Sequence, residues 1–124
     1  MCKVSEKAYI CPLALSVDVL GGKWKMQIMW HLKDDILRYT ELKKKLSKIS
    51  QKILTLNLRE LEEAGLVSRK IYPVSPPKVE YSLTEYGETI IPILDAIHMW
   101  GKDYSEEFGV DVEAAEEIPM LKYA

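Results

Sequence analysis

Between Arg38 and Arg59 the chain holds seven bases, Arg38, Lys43, Lys44, Lys45, Lys48, Lys52 and Arg59, against a single acid, Glu41. A cluster of cations on so short a stretch is either a solvated helix face or a surface that neutralises phosphates. The residues interleaved with the bases bear on the choice. Ser50-Gln51-Lys52 followed by Thr55 and Leu56 supplies an amide suited to adenine, an ammonium suited to guanine O6 or N7, and apolar groups suited to the thymine methyl. Ser50, Gln51, Lys52, Thr55 and Leu56 are therefore candidate base readers, and Arg38, Thr40, Lys43, Lys44, Lys48 and Arg59 are candidate phosphate contacts. Leu56 is informative, because folding alone gives no reason for a leucine opposite a buried stripe.

Such side chains work only if helices hold them. Ser50 is a good N-cap, and the helix it opens runs to about Ala64 and is closed by Gly65. At 100° per residue Leu54, Leu58 and Leu61 fall within about 60° of one another, flanked by Ile53 and Ala64, and so form the buried face. Lys52, Thr55, Leu56 and Arg59 project from the opposite side. Upstream, Glu41 to Ser47 carries Leu42 and Leu46 at an i, i+4 spacing and reads as a helix beginning near Thr40, preceded by a strand stub over Leu37 to Thr40. Lys23 to Lys33 reads as an amphipathic helix with Trp24, Ile28, Met29 and Leu32 in its stripe and Lys23, Lys25 and Lys33 outside it. Before it, Pro12 at a first helical position and the stop at Gly21-Gly22 bound another short helix.

After Gly65 the pattern changes to period two, through Leu66, Val67, Arg69, Ile71 and Tyr72, and returns through Val79, Tyr81 and Leu83. That is a hairpin with a proline-stiffened tip, Pro76-Pro77-Lys78, set to lie along the minor groove or its phosphates, with Arg69 and Lys70 as further backbone contacts. Thr84 then caps a long final helix with Glu85 and Glu88 in its first turn and Pro92 inside it, where it should kink the axis. Ile90, Ile93, Leu94, Ile97, Trp100 and Tyr104 spread over more of that helix than one small core requires, which implies a partner. The order of elements, helices followed by a hairpin, is that of a mainly α winged helix-turn-helix, to which the family resemblance given below adds dimerisation helices at both ends.

At 124 residues the expected organisation is one domain: helices over 11–36, the helix-turn-helix and wing over 37–83, the dimerisation helix over 84–108 and an acidic tail or short helix over 109–124. The two halves are electrostatic opposites. Residues 1–79 hold 15 bases and 8 acids, and residues 80–124 hold 2 bases and 11 acids. The longest uncharged apolar stretches, such as Ile90 to Leu94, fall far short of the roughly 18 residues of a membrane span. Glu6 and Asp18 interrupt the apolar patches near the start, so no secretory signal is expected and the cytoplasm is the expected location. Two cysteines, Cys2 and Cys11, make no disulfide framework. No paired-ligand spacing joins them to His31 or His98, and no phosphate loop, nucleophile elbow or paired catalytic carboxylates occur, so neither a metal, a cofactor nor an enzymatic activity is expected.

A longer set of motifs resembles the HxlR-type transcriptional regulators. In order it comprises Cys11-Pro12-Leu13, Gly21-Gly22-Lys23-Trp24, Tyr39-Thr40-Glu41-Leu42, Ile49-Ser50-Gln51-Lys52-Ile53-Leu54-Thr55, Leu58 through Val67, Tyr72-Pro73 with Pro76-Pro77, Val79 through Thr84, Pro92-Ile93-Leu94 and Trp100-Gly101. The resemblance spans about residues 11 to 105. It implies a homodimeric regulator of the MarR-like winged-helix group that binds double-stranded DNA, with dimer contacts from the first and last helices, hence Leu13 alongside the apolar residues of the last helix. Two positions depart from the family's pattern: Ser47-Lys48 replaces a usual loop glycine, and Leu56 stands where a polar residue is common. Cys11 resembles a cysteine through which some members sense oxidants or electrophiles, and it precedes a helix near Lys7, a setting that sharpens a thiol's reactivity. The bland alternative is a small packed hydrophobe. Trp24, Trp30 and Trp100 read as core or interface anchors, and between protomers they would also suit an aromatic-lined pocket for a small-molecule inducer. A winged-helix module that binds a protein instead of DNA shares the same order of elements, and binding to the chain's own upstream DNA tells the two apart.

Overall fold

The computed structural model describes Tyr9 and residues 11–112. Cys2, Lys7 and positions 113–124 of the acidic tail lie outside the described residues. The chain opens with α1 (Pro12–Leu20), whose first turn takes Pro12 at no cost in hydrogen bonds and none of whose residues is buried. Next come α2 (Lys25–Leu32), β1 (Leu37–Arg38), α3 (Tyr39–Lys45) and α4 (Gln51–Glu63). Two strands, β2 (Val67–Tyr72) and β3 (Lys78–Leu83), lead through a 3-10 turn (Gly87–Ile90) into α5 (Ile91–Phe108).

The α4 helix starts as its cap residue dictates: the Ser50 hydroxyl accepts from the Ile53 N–H at 3.1 Å. It ends at Gly65, whose φ of +82° is the left-handed conformation that a side chain would resist. Its buried face is Leu54, Leu58 and Leu61. These pack with Ile28, Met29 and Leu32 of α2, Leu42 of α3, Val67 of β2 and Tyr81 of β3 in one apolar core. The expected strand stub is a real third strand. The sheet order is β1-β3-β2, all antiparallel, with Leu37 opposite Tyr81 and Val67 opposite Leu83. Without β1 the wing would be an isolated hairpin, a form of marginal stability in water.

Three expectations need correction. Lys25, placed by the sequence outside the stripe of its helix, is buried, and its Nζ lies 2.7 Å from Glu60 Oε1 of α4. Lys25 shares a face with Ile28, Met29 and Leu32 by spacing, and only the carboxylate across the helix pair lets a lysine occupy it. The last helix does not run from Thr84. Instead the Thr84 hydroxyl donates to the Gly65 carbonyl at 2.6 Å and accepts from the Gly87 N–H at 2.8 Å, joining the end of the wing to the end of α4. A Cβ at position 87 would collide with the Leu66 carbonyl oxygen, so glycine is needed where these strands and turns meet. Helix α5 begins only at Ile91, which puts Pro92 in its first turn, where a missing N–H costs nothing and no kink follows. Finally, Ile90 and Leu94, grouped above with the partner-facing residues, are 8% and 4% exposed and belong to the core of this chain. They lie on the side of the turn and helix that faces inward, a distinction that an apolar count along the sequence does not make.

Candidate nucleic-acid interface

Helices α3 and α4, joined by a tight turn, present one continuous surface. On α4 the side chains of Gln51, Lys52, Leu56 and Arg59 are exposed and Thr55 is half-buried, while Ser50 sits exposed at the N-terminus. Gln51, Lys52, Thr55, Leu56 and Arg59 line, together with Tyr39, an open depression along the helix. A second depression lies beside it, lined by Tyr39, Thr40, Glu41, Lys43, Lys44, Ser47, Ser50 and Gln51. The structure thus brings together the residues read as base contacts with four of the phosphate candidates, Thr40, Lys43, Lys44 and Arg59, and leaves Lys48 exposed in the turn between them. Glu41, the one acid in the cluster, is turned to local use: its carboxylate accepts from the Arg38 N–H at 2.7 Å and caps α3. Among the described residues, none of Lys43, Lys44, Lys48, Lys52 and Arg59 forms an ion pair. An uncompensated group of cations around a helix end is a surface that attracts polyanions.

The wing is ordered by its own side chains. Lys70 and Lys78 approach the Tyr72 ring at 5.0 and 4.7 Å, and the Tyr72 hydroxyl donates to Glu80 at 3.0 Å. The Tyr72 hydrogen bond, reinforced by Lys78 and the charge of Arg38, holds the Glu80 carboxyl below the usual carboxylate range. Lys78 is therefore not a free tip residue: it starts β3, is half-buried and pairs with Glu80 at 3.4 Å. Pro76 and Pro77 do form the exposed tip, after a cis Ser75–Pro76 peptide. Arg69 is half-exposed and reaches back to Glu62 of α4 at 3.6 Å, whereas Lys70 and Arg38 are exposed.

Sequence reasoning missed Tyr39. Its hydroxyl donates to the Gln51 carbonyl at 3.0 Å and lies 3.2 Å from Thr55 Oγ1, so one phenol joins α3 to the outer face of α4. An aromatic residue at the head of a basic helix was the available signal, but local spacing does not say which helix its hydroxyl reaches.

On α1 and α5, apolar side chains are left in water. Leu13 and Val17 of α1 are 72% and 63% exposed. On α5, Ile93, Ile97, Trp100, Tyr104 and Phe108 are exposed as well. The last three stack in a ladder, with ring centroids 5.2 Å apart for Trp100 and Tyr104 and 4.6 Å for Tyr104 and Phe108. Trp24 and Trp30 pack partly against the core, and His98 of α5 stacks on Trp30 at 4.7 Å. Cys11 is an exposed free thiol in the N-cap position of α1. Among the described residues no group of three or more His, Cys, Asp or Glu side chains is placed to hold a metal ion, and no helix is long and apolar enough to cross a membrane.

Known proteins share this arrangement. Residues 19–108 match the HxlR-like helix-turn-helix family. An HTH-type transcriptional regulator of Methanothermobacter thermautotrophicus is 48% identical over 101 residues, covering 82% of this chain and 77% of the relative. The redox regulator HypR has been solved in two forms. The reduced form aligns with a TM-score of 0.77 at 42% identity, covering 82% of this chain and all of that one. The oxidised form aligns with a TM-score of 0.72 at 46% identity, covering 75% of this chain and 96% of that one. With its helix-turn-helix, wing and basic face arranged in this way, the chain belongs to the HxlR-like helix-turn-helix family of transcriptional regulators.

Proposed function

We propose that the protein acts in the cytoplasm as a homodimer, seating α4 of each protomer in successive major grooves of a two-fold operator. Ser50, Gln51, Lys52, Thr55 and Leu56 read base edges in this arrangement. Arg38, Thr40, Lys43, Lys44, Lys48 and Arg59 hold phosphates, and Pro76, Pro77, Arg69 and Lys70 follow the flanking backbone and minor groove, while Lys78 stays with Glu80 and Tyr72 and stiffens the wing. The carrying observation is the group of cations around the exposed face of α4, Lys43, Lys44, Lys48, Lys52 and Arg59, which form no ion pair among the described residues. Leu13, Ile93, Ile97, Trp100 and Tyr104 supply the dimer contact, since a stacked aromatic ladder left in water is an unpaid burial that a second copy would complete. The chain binds and does not catalyse.

The test is titration of the DNA upstream of its own gene by fluorescence anisotropy, at several salt concentrations and against random duplex. Saturable preference for that fragment, with log affinity falling linearly in log salt, is the expected result. Equal binding to both duplexes would favour the protein-interaction module instead.

A second reading concerns the signal. Cys11 is exposed at the head of a helix that buries none of its own residues, and two of the solved relatives are forms of a redox regulator. We infer that oxidation of Cys11 alters operator affinity. Diamide with glutathione joins the Cys11 thiol to the glutathione thiol as a mixed disulfide while the diamide takes up the two electrons and two protons as its hydrazine; this is expected to change binding by the wild type and leave Cys11→Ser unaffected, and equal responses would reject the inference.

A further inference from the structure

We propose that Tyr39 is a positioning residue that turns Thr55 into an apolar reader, so that the protein selects thymine at one base pair beneath α4. The inference rests on the reading of α4 as the groove helix and names what one of its positions recognises.

Tyr39 leads α3 and is half-buried against α4. Its hydroxyl sits 3.0 Å from the Gln51 carbonyl oxygen and 3.2 Å from Thr55 Oγ1. A carbonyl oxygen only accepts, so the single phenolic proton goes to Gln51 and the Thr55 proton goes to the Tyr39 oxygen. Both hydroxyl donors are spent inside the protein. A free threonine hydroxyl is ambivalent, because it rotates to donate to or accept from any base edge. Held by Tyr39, Thr55 cannot donate to guanine O6 or N7; it has left to offer its methyl and oxygen lone pairs that only accept, and a T·A pair meets both with the thymine methyl and the adenine N6 amino group. Leu56, 47% exposed, stands next to Thr55 and adds a second apolar surface. Two apolar groups side by side suit the one apolar feature of the major groove, the C5-methyl of thymine.

Deoxyuridine is the direct probe, since it differs from thymidine only by that methyl. Take the tightest duplex recovered by selection from a random library and replace its thymines one at a time. For the wild type, one position per half-site is expected to lose about fourfold in affinity, the value of one methyl removed from water. Thr55→Ser, which keeps the hydroxyl and Tyr39 but lacks the methyl, should cut the preference below about twofold, Leu56 keeping the remainder. Thr55→Val should keep the preference. Tyr39→Phe removes the hydrogen bond that fixes the Thr55 side chain, lets its hydroxyl turn into the place of the methyl, and should cut the preference below about twofold while leaving the salt slope, which counts phosphates, unchanged. Adding Thr55→Val to Tyr39→Phe should restore it. A purely structural role for Tyr39 would move the melting temperature but not the ratio of thymine to uracil affinities. A wild type that selects a duplex yet ignores every such replacement, or a Tyr39→Phe protein that keeps the full preference, overturns this inference alone. A wild type that selects no duplex over random sequence overturns it together with the regulator reading.

Discussion

At the scale of single residues, the two lysine environments of this chain predict opposite experiments. Lys52 is exposed in the first turn of α4 beside Gln51, where no acid among the described residues pairs with it. Lys52→Ala should cost about 1 to 3 kcal/mol of operator binding and relax the preference at one base pair, whereas Lys44→Ala should weaken all duplexes alike and lower the salt slope by about one. Anisotropy titrations on matched and mismatched duplexes separate the two. Lys25 is the contrast. Its 2.7 Å contact with Glu60 couples α2 to α4 in a largely water-free place. Lys25→Met should destabilise the fold by about 3 kcal/mol, because a mostly buried carboxylate loses the ammonium that faces it, and adding Glu60→Gln should recover most of that in urea unfolding. Residue type alone made Lys52 legible and Lys25 misleading, since both are lysines near the start of a helix and only the neighbours across the gap differ.

At the scale of elements, local signals carried far. The Ser50 cap, the Leu54, Leu58 and Leu61 stripe and the Gly65 stop bound α4 in the sequence and in the structure, because each acts within a turn or two of the backbone. Loss of the cap at Ser50→Ala should cost about 1 kcal/mol, which for a domain of this size lowers the melting temperature by roughly 4 °C. Ser50→Asp offers a sharper result: the carboxylate caps as well and suits the helix dipole, so stability should hold while operator affinity falls through repulsion of phosphates. Calorimetry and anisotropy on the same two variants check both statements. The start of α5 was not legible. Thr84 has the chemistry of a cap and uses it, but on Gly87 and Gly65, and the helix waits for the 3-10 turn to finish. Pro92 looked like a helix breaker for the same reason, its position relative to the true first turn being set by that turn.

At the scale of the whole molecule, the opposed charges of the two halves become a division of labour, cations around α3 and α4 and acids with exposed aromatics along α5. The α5 ladder predicts a change that leaves the single chain intact. Trp100 is 67% exposed, so Trp100→Glu should barely alter unfolding of a protomer yet shift sedimentation from dimer to monomer. Operator affinity should then fall by roughly a hundredfold or more, because the second half-site loses the effective concentration that a linked protomer provides. A variant that sediments as the wild type, or a dimer lost without effect on operator binding, would contradict the arrangement proposed here.

By itself the amino-acid sequence determined the helical stripe of α4, its cap and stop, the period-two hairpin and the side chains of the basic face, all of which are properties of neighbours along the chain. Only the tertiary structure decided that Lys25 is buried against Glu60, that Leu37–Arg38 completes the sheet, that Ile90 and Leu94 turn inward while Trp100 turns outward, and that Tyr39 takes hold of Thr55. The reason is distance along the chain. Periodicity and capping report on residues three or four apart, whereas these contacts join residues 35, 44, or 16 positions apart, such as Lys25 with Glu60, Leu37 with Tyr81, and Tyr39 with Thr55, and they form only when the helices and strands have packed.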